Sequence, residues 1–503
     1  MSKNGKLWRC GAILLACALG ALLATTPATA AVPDDAVVVY PTGDPTLVDV
    51  GWTWMTEDNR RLIDGWNAVN GDPAKTTLFL KATNEAGDPT PFVLNEEDPA
   101  AYAVLFLRVG AFGTDLVGKA IVGETVGGFM ATIHGARVIQ PIGAEIHPGR
   151  ATLRIENVRF QDIGVYRPNN RGGIHSLVYV APFNRAITFP FELEMKGCHF
   201  EGTNAPGWMY LFHHGRTQIE DCTISGTPSL AAVIDVPSYV TADRPDPVPG
   251  DSHVLTITGT EVDAGGAAYG ILAFRNALGW NYSRTSSLTA HDVTLVNNRV
   301  QGAGVGIAVQ NLVLSPSFRA AFTGDMVIDH NDISATEVGI YASHDPDWTD
   351  AEVFVKSNTI TMADGSYAAI RFGDASPFIW PEKEKVRLAG VRNNLFRGGA
   401  LTGVSMENGS FRNTFTGNNI ATFTADASYR CDAATYENVV VGFTGGITWV
   451  DDQGTDNVFT GAGFRGLSPA AAQQLAEAMS AYPPMPRDLF DPADDSSLEA
   501  PLD

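Results

Sequence analysis

Leu295-Val296-Asn297-Asn298-Arg299-Val300, Ile328-Asp329-His330-Asn331-Asp332-Ile333 and Val355-Lys356-Ser357-Asn358-Thr359-Ile360 share one pattern. Each reads apolar, two residues, asparagine, one residue, apolar. The same frame occurs nine times from Ile155 to Ile420. Its earlier copies are Ile155/Val158/Phe160, Met195/Cys198/Phe200, Ile219/Cys222/Ile224 and Ile257/Thr260/Val262, and its later ones Val391/Asn394/Phe396 and Phe415/Asn418/Ile420. The middle position is asparagine in the last five. A coil that brings one side chain to the same turn on every lap leaves this record, and repeats of 24 to 40 residues fit a solenoid whose length varies in its loops.

Strand patterning supports the coil. Phe191, Leu193 and Met195 alternate with Glu192, Glu194 and Lys196, apolar inward and charged outward. After each turn, glycine often opens a second apolar alternation: Gly270-Ile271-Leu272-Ala273, Gly306-Ile307-Ala308-Val309, Gly339-Ile340-Tyr341-Ala342, Gly403-Val404-Ser405-Met406. Each lap therefore reads as three strand pieces around two bends. Ten laps at a strand spacing of about 4.8 Å predict a rod of roughly 50 Å.

These residues resemble the right-handed parallel β-helix proteins, the pectin-lyase-like superfamily with its parallel β-helix repeats, over about two thirds of the chain. The resemblance implies an all-β fold, a right-handed single-stranded parallel β-helix. It places Asn298, Asn331, Asn358, Asn394 and Asn418 as a hydrogen-bonded ladder in the turn between the second and third strands. Such stacked amides are structural rather than catalytic.

Four segments are expected. Residues 1–30 read as a secretory signal peptide: Lys3, Lys6 and Arg9, an apolar run from Leu7 to Ala24, then Ala28-Thr29-Ala30 as cleavage site. Leu14-Leu15-Ala16-Cys17 resembles a lipoprotein box, but the apolar run continues past Cys17, so cleavage downstream is favoured. Residues 31–150 read as an N-terminal cap with opening strands, including a capping helix over Glu57–Asn70 and a strand over Thr77–Leu80. Residues 151–465 form the coil. Residues 466–503 supply a C-terminal capping helix, Ser468–Ala481, and an acidic, proline-rich tail.

The 503 residues carry a net charge of -22, which loss of Lys3, Lys6 and Arg9 with the signal changes to -25. That excludes nucleic acid and anionic membranes as favoured partners. No segment after the signal is long and apolar enough to span a bilayer. The expectation is an exported protein, secreted, periplasmic or on the cell surface, and a monomer. Cys198 and Cys222 hold one repeat position on consecutive laps, within reach of a disulfide or stacked as buried thiols.

The resemblance places chemistry in a groove over the outward residues of the Gly-Ile strand and its loops. Those positions include His213, Gln310, Tyr341, His344, Arg371 and Glu407. Loops after the same strand, Arg275–Ala290, Asn311–Gly324, His344–Glu352 and Gly373–Glu384, carry Trp280, Tyr282, Trp348 and Trp380. Aromatic faces beside charges and amides suit polysaccharide binding, and they equally suit packing of the loops onto the coil. Polygalacturonase and pectin methylesterase signatures are missing. The chemistry to test is uronate β-elimination, with Arg371 holding the carboxylate and Tyr341 or His344 moving the proton. Val355-Lys356-Ser357 resembles a segment of alginate and chondroitin lyases, although Lys356 precedes the ladder turn. Asp345, Asp347 and Asp350 offer oxygen ligands for calcium, without the spacing of an EF-hand loop. The competing reading is a non-catalytic surface, structural or adhesive rod.

Overall fold

The repeat places an apolar residue, a tight turn and a second apolar residue on every lap, and parallel stacking follows. The computed structural model describes residues 31–460 except 50, 52–53, 95–103, 109–118, 136–137, 143–150, 162–175, 181–190, 202–206, 212–215, 227–231, 240–251, 277–288, 313–321, 324, 345–348, 351, 374–385, 388 and 442–449. The chain is an all-β parallel β-helix with two long parallel sheets. Fourteen strands follow one another along the first sheet, from Ala36–Val39 to Val458–Thr460. Thirteen steps between them span about 62 Å, longer than the ten laps read from the repeat. The sheet runs below Ala151–Glu156 through Lys119–Gly123, Thr77–Leu80 and Ala36–Val39, whose turns lack the repeated motif.

Each regular turn has a specific backbone reason. The residue before the ladder position adopts a positive φ: Asn157 at 53°, Asp221 at 52°, Asn297 at 56°, His330 at 55°, Ser357 at 56° and Asn393 at 56°. Glycine fills this place at Gly197, Gly259 and Gly417. The left-handed conformation turns the chain from the first sheet to the second within two residues, and the next side chain lies in the interior. There Asn331 Nδ2 donates to Leu295 O and to Asn358 Oδ1, both at 2.9 Å, while its own amide N donates to Asn358 Oδ1 at 2.9 Å. The same set repeats from Asn298 through Asn358 and on to Asn418. Every amide of this buried column is thereby partnered across laps, as a dry interior requires.

The apolar positions also stack in columns. Ile155, Met195, Ile219, Ile257, Leu295, Ile328, Val355 and Val391 lie in register along the first sheet. Phe160, Phe200, Ile224, Val262 and Val300 do so along the second, with the Phe160 and Phe200 rings stacked at 5.1 Å. All belong to one continuous core, and burying each such side chain contributes about 1.5–3 kcal/mol.

The second bend differs from the expected break. Early laps do have three pieces, such as Ala151–Glu156, Arg159–Gln161 and Ser176–Val180. Later laps fuse the last two into long strands, Arg299–Leu312, Asp332–His344, Thr359–Phe372 and Leu395–Met406. Register shifts mark the bend inside these strands, and glycines with positive φ (Gly302, Gly365, Gly398) let the backbone turn while its pairing continues.

At the N-terminal end, helix α1 (Glu57–Gly71) buries Leu62, Trp66 and Val69. Thr56 caps it, its Oγ1 accepting from Asn59 N at 3.1 Å. The Asp58 carboxylate accepts from Thr42 N, Gly43 N and Val93 N at 2.7–3.0 Å, which ties α1 to two neighbouring segments. In the third lap a hairpin, Thr125–Val126 with Phe129–Met130, occupies the place of the ladder turn. The expected helix Ser468–Ala481 lies outside the described residues.

A second ladder escaped the sequence reading. Asn413 Nδ2 donates to Asn438 Oδ1 at 3.0 Å, and Asn438 Nδ2 to Asn457 Oδ1 at 2.9 Å. Each follows a residue near φ 56°: Arg412, Glu437 and Asp456. Its signal is present in Phe411-Arg-Asn413, Tyr436-Glu-Asn438 and Thr455-Asp-Asn457, but three copies are few and the turn precedes the first sheet rather than following it.

Candidate functional site

Register decides which outward residues of the Gly-Ile strand meet. Leu272, Ala308, Tyr341, Arg371, Ser405, Arg430 and Asp451 form one column, each on the next lap. Their inward neighbours Ile271, Ile307, Ile340, Ile370 and Val404 fill the core and thereby hold this column outward. Sequence positions 21 to 36 residues apart thus become neighbours across laps.

Tyr341, Tyr367, Arg371, Ser405 and Glu407 converge there. Arg371 Nη2 donates to Glu407 Oε2 at 2.8 Å and its Nε to the same oxygen at 3.3 Å. Ser405 Oγ donates to Glu407 Oε1 at 2.8 Å, and the Tyr367 hydroxyl donates to that oxygen as well. The guanidinium carbon lies 5.0 Å from the Tyr367 ring centre and 5.8 Å from that of Tyr341, within the range of cation–π attraction. On the N-terminal side Tyr341 and Tyr367 join Tyr269, Leu272, Val305, Ala308 and Val338 in an apolar cluster separate from the core. The result is an apolar strip leading to a charge-balanced polar group.

Burial acts first on the Glu407 carboxyl and raises its pKa. Hydrogen bonds and charge from Arg371, with bonds from Tyr367 and Ser405, outweigh burial and hold it below the ordinary carboxylate range. Burial and the bond to Glu407 push the Tyr367 hydroxyl upward, so it stays protonated at neutral pH. The arrangement is a set of hydroxyls, one carboxylate and one guanidinium tied together by their own hydrogen bonds.

The expected site residues fare differently. Tyr341, Arg371 and Glu407 come together, with Tyr341 only 5% exposed. The strand backbones place Gln310 beside Ser343 and His344 beside Asn311. His213, Trp280, Tyr282, Trp348 and Trp380 lie outside the described residues. Asp345 and Asp347, two of the three carboxylates weighed for calcium, lie outside them too. Among the described residues no group of three or more His, Cys, Asp or Glu side chains is arranged to hold a metal ion. Tyr367 and Ser405 were not singled out from the sequence; Tyr367 precedes the alternation by an extra residue, so its outward position depends on the bend. Lys356 sits on the first sheet, paired with Asp329 at 3.1 Å, away from the Gly-Ile strand.

Cys198 and Cys222 are buried free thiols, with Sγ atoms 3.4 Å from Ile155 O and 3.8 Å from Met195 O. Burial drives the Cys198 thiol far above its ordinary range. Among the described residues no helix is long and apolar enough to cross a membrane.

The chain matches no protein-family profile and no curated protein. Among solved structures it is similar to the surface protein and adhesin PfbA of Streptococcus pneumoniae, with a TM-score of 0.34 and 10% identity over 84% of this chain and 97% of that one.

Proposed function

We propose that this is an exported β-helix protein that binds an extracellular polysaccharide along the outward face of the Gly-Ile strand, and that it binds without cleaving. The observation carrying this reading is the half-buried Tyr367 ring with the Arg371 guanidinium over it, locked by Glu407 and continued by the half-buried strip of Tyr269, Leu272 and Val305. Ring faces and aliphatic surface suit the apolar faces of sugar rings, and fixed polar groups suit their hydroxyls. Export rests on the charged and apolar pattern of residues 1–30.

β-Elimination is disfavoured on two counts. Arg371 is engaged by Glu407, so its charge is already balanced where a substrate carboxylate would need it. Tyr341 is buried, which keeps its hydroxyl away from a polymer passing over the face.

Affinity electrophoresis through gels containing polysaccharides tests the binding. Retardation of the folded protein is expected, weakened about 5- to 30-fold by Arg371→Ala, equivalent to losing roughly 1–2 kcal/mol of stacking and hydrogen bonding. Retardation by no polysaccharide would leave the structural or adhesive rod as the better reading. Incubation with pectate, alginate and glycosaminoglycans, with and without calcium, is expected to give no rise in the absorbance of unsaturated product. Such a rise would show that the face is catalytic.

A further inference from the structure

The charge arrangement of the outward column bears on which class of polysaccharide fits. Both arginines of the column are paired with a carboxylate on the following lap, Arg371 with Glu407 at 2.8 Å and Arg430 with Asp451 at 3.8 Å. Of the other members, Leu272, Ala308, Tyr341 and Ser405 carry no charge, and the backbone register continues the column to Asp235, a further anion. From Leu272 to Asp451 the column therefore combines apolar and hydroxyl side chains with balanced ion pairs, and its one further charge at Asp235 is negative, on a chain whose net charge is -22. A polyuronate carries about one carboxylate per sugar and needs cations to meet them; here each column cation already has its anion, and the surrounding field repels more.

We infer that the polysaccharide recognised on this face is uncharged. The inference rests on the binding proposed above, and it specifies the ligand class of that same face. A neutral glycan asks for apolar surface and oriented polar groups, which the half-buried Tyr367 and Arg371 supply, held in place from beneath by the buried Glu407 and Ser405.

The experiment compares neutral polymers (dextran, galactomannan) with anionic ones (pectate, alginate) in affinity gels at low and at high salt. Expected for the unmodified protein is retardation by at least one neutral polymer, unchanged by salt, and none by the anionic polymers. Glu407→Gln removes the carboxylate that balances Arg371, and should gain at least threefold affinity for the anionic polymers at low salt, a gain erased at high salt. Asp451→Asn releases Arg430 in the same way at a more exposed position, and keeps the test decisive should Glu407→Gln fail to fold. Salt-sensitive binding of pectate or alginate above any neutral polymer would overturn the uncharged-ligand inference while leaving polysaccharide binding in place. So would failure of both folded variants to gain anionic binding. Retardation by neither class would overturn the binding proposal itself, and this inference with it.

Discussion

Asn358 shows how much a single amide carries in this coil. It bonds backward to Ile328 O and to the amide nitrogen and side chain of Asn331, and forward to Asn394, all at 2.9–3.0 Å and all buried. Asn358→Ala leaves several of those groups without partners, at about 1–3 kcal/mol for each one left dry. Chemical denaturation should show a loss of about 3 kcal/mol or more. Asn358→Thr should lose less, because Thr260 already serves in the ladder, accepting from Cys222 N and donating to Thr258 O. Glu407 makes a different prediction, in pH. Its folded pKa lies below its ordinary value, so its contribution is fully present above the ordinary carboxylate range and is lost as pH falls through the folded value. The melting-temperature gap between the parent and Glu407→Gln should therefore be constant near neutrality and close below about pH 4. The ladder asparagines were legible in the sequence because the turn demands the same residue at the same place on every lap. Glu407's partners were not, since Arg371 lies 36 residues away and Tyr367 40, and only lap length brings them together.

Helix α1 is held by groups supplied from elsewhere in the first laps. Lys119 is buried on the first sheet, and its Nζ donates to Val69 O at 3.0 Å and to Lys75 O, capping carbonyls at and beyond the C-terminal end of α1. The helix has no basic residue in its own last turn, so Lys119 stands in for one across the lap. Lys119→Met keeps the stem's apolar packing and removes the donor; a loss of about 1–3 kcal/mol is expected by denaturation, with faster hydrogen exchange in α1 before the later laps. The apolar spacing of Leu62, Trp66 and Val69 made the helix readable. Its fastening was not readable, because Asp58 and Lys119 look like surface charges until their partners are known. The bends show the same limit. Glycines at 302, 365 and 398 were visible, but whether they end a strand or bulge within it depends on the pairing of neighbouring laps.

The laps lean closely on one another at the glycine that opens the Gly-Ile strand. A Cβ on Gly306 would lie 2.4 Å from Ile333 Cγ2 and 2.8 Å from Gly339 O on the next lap. The contact recurs one lap earlier at Gly270 and one lap later at Gly339. Gly306→Ala must therefore push two laps apart, at about 1–3 kcal/mol. In a stack where each repeat touches only its neighbours, hydrogen exchange should rise first in Arg299–Leu312 and Asp332–His344 and least in Ala151–Glu156. The residues alone were enough for a parallel coil, its inward and outward faces and its ladder, because a solenoid repeats the same local demand and so writes it many times. They were not enough for the balanced Arg371–Glu407 pair, the continuous bends or the second ladder. Those depend on lap length and register, which set the neighbours across about 4.8 Å of stacking, and no single lap contains that information.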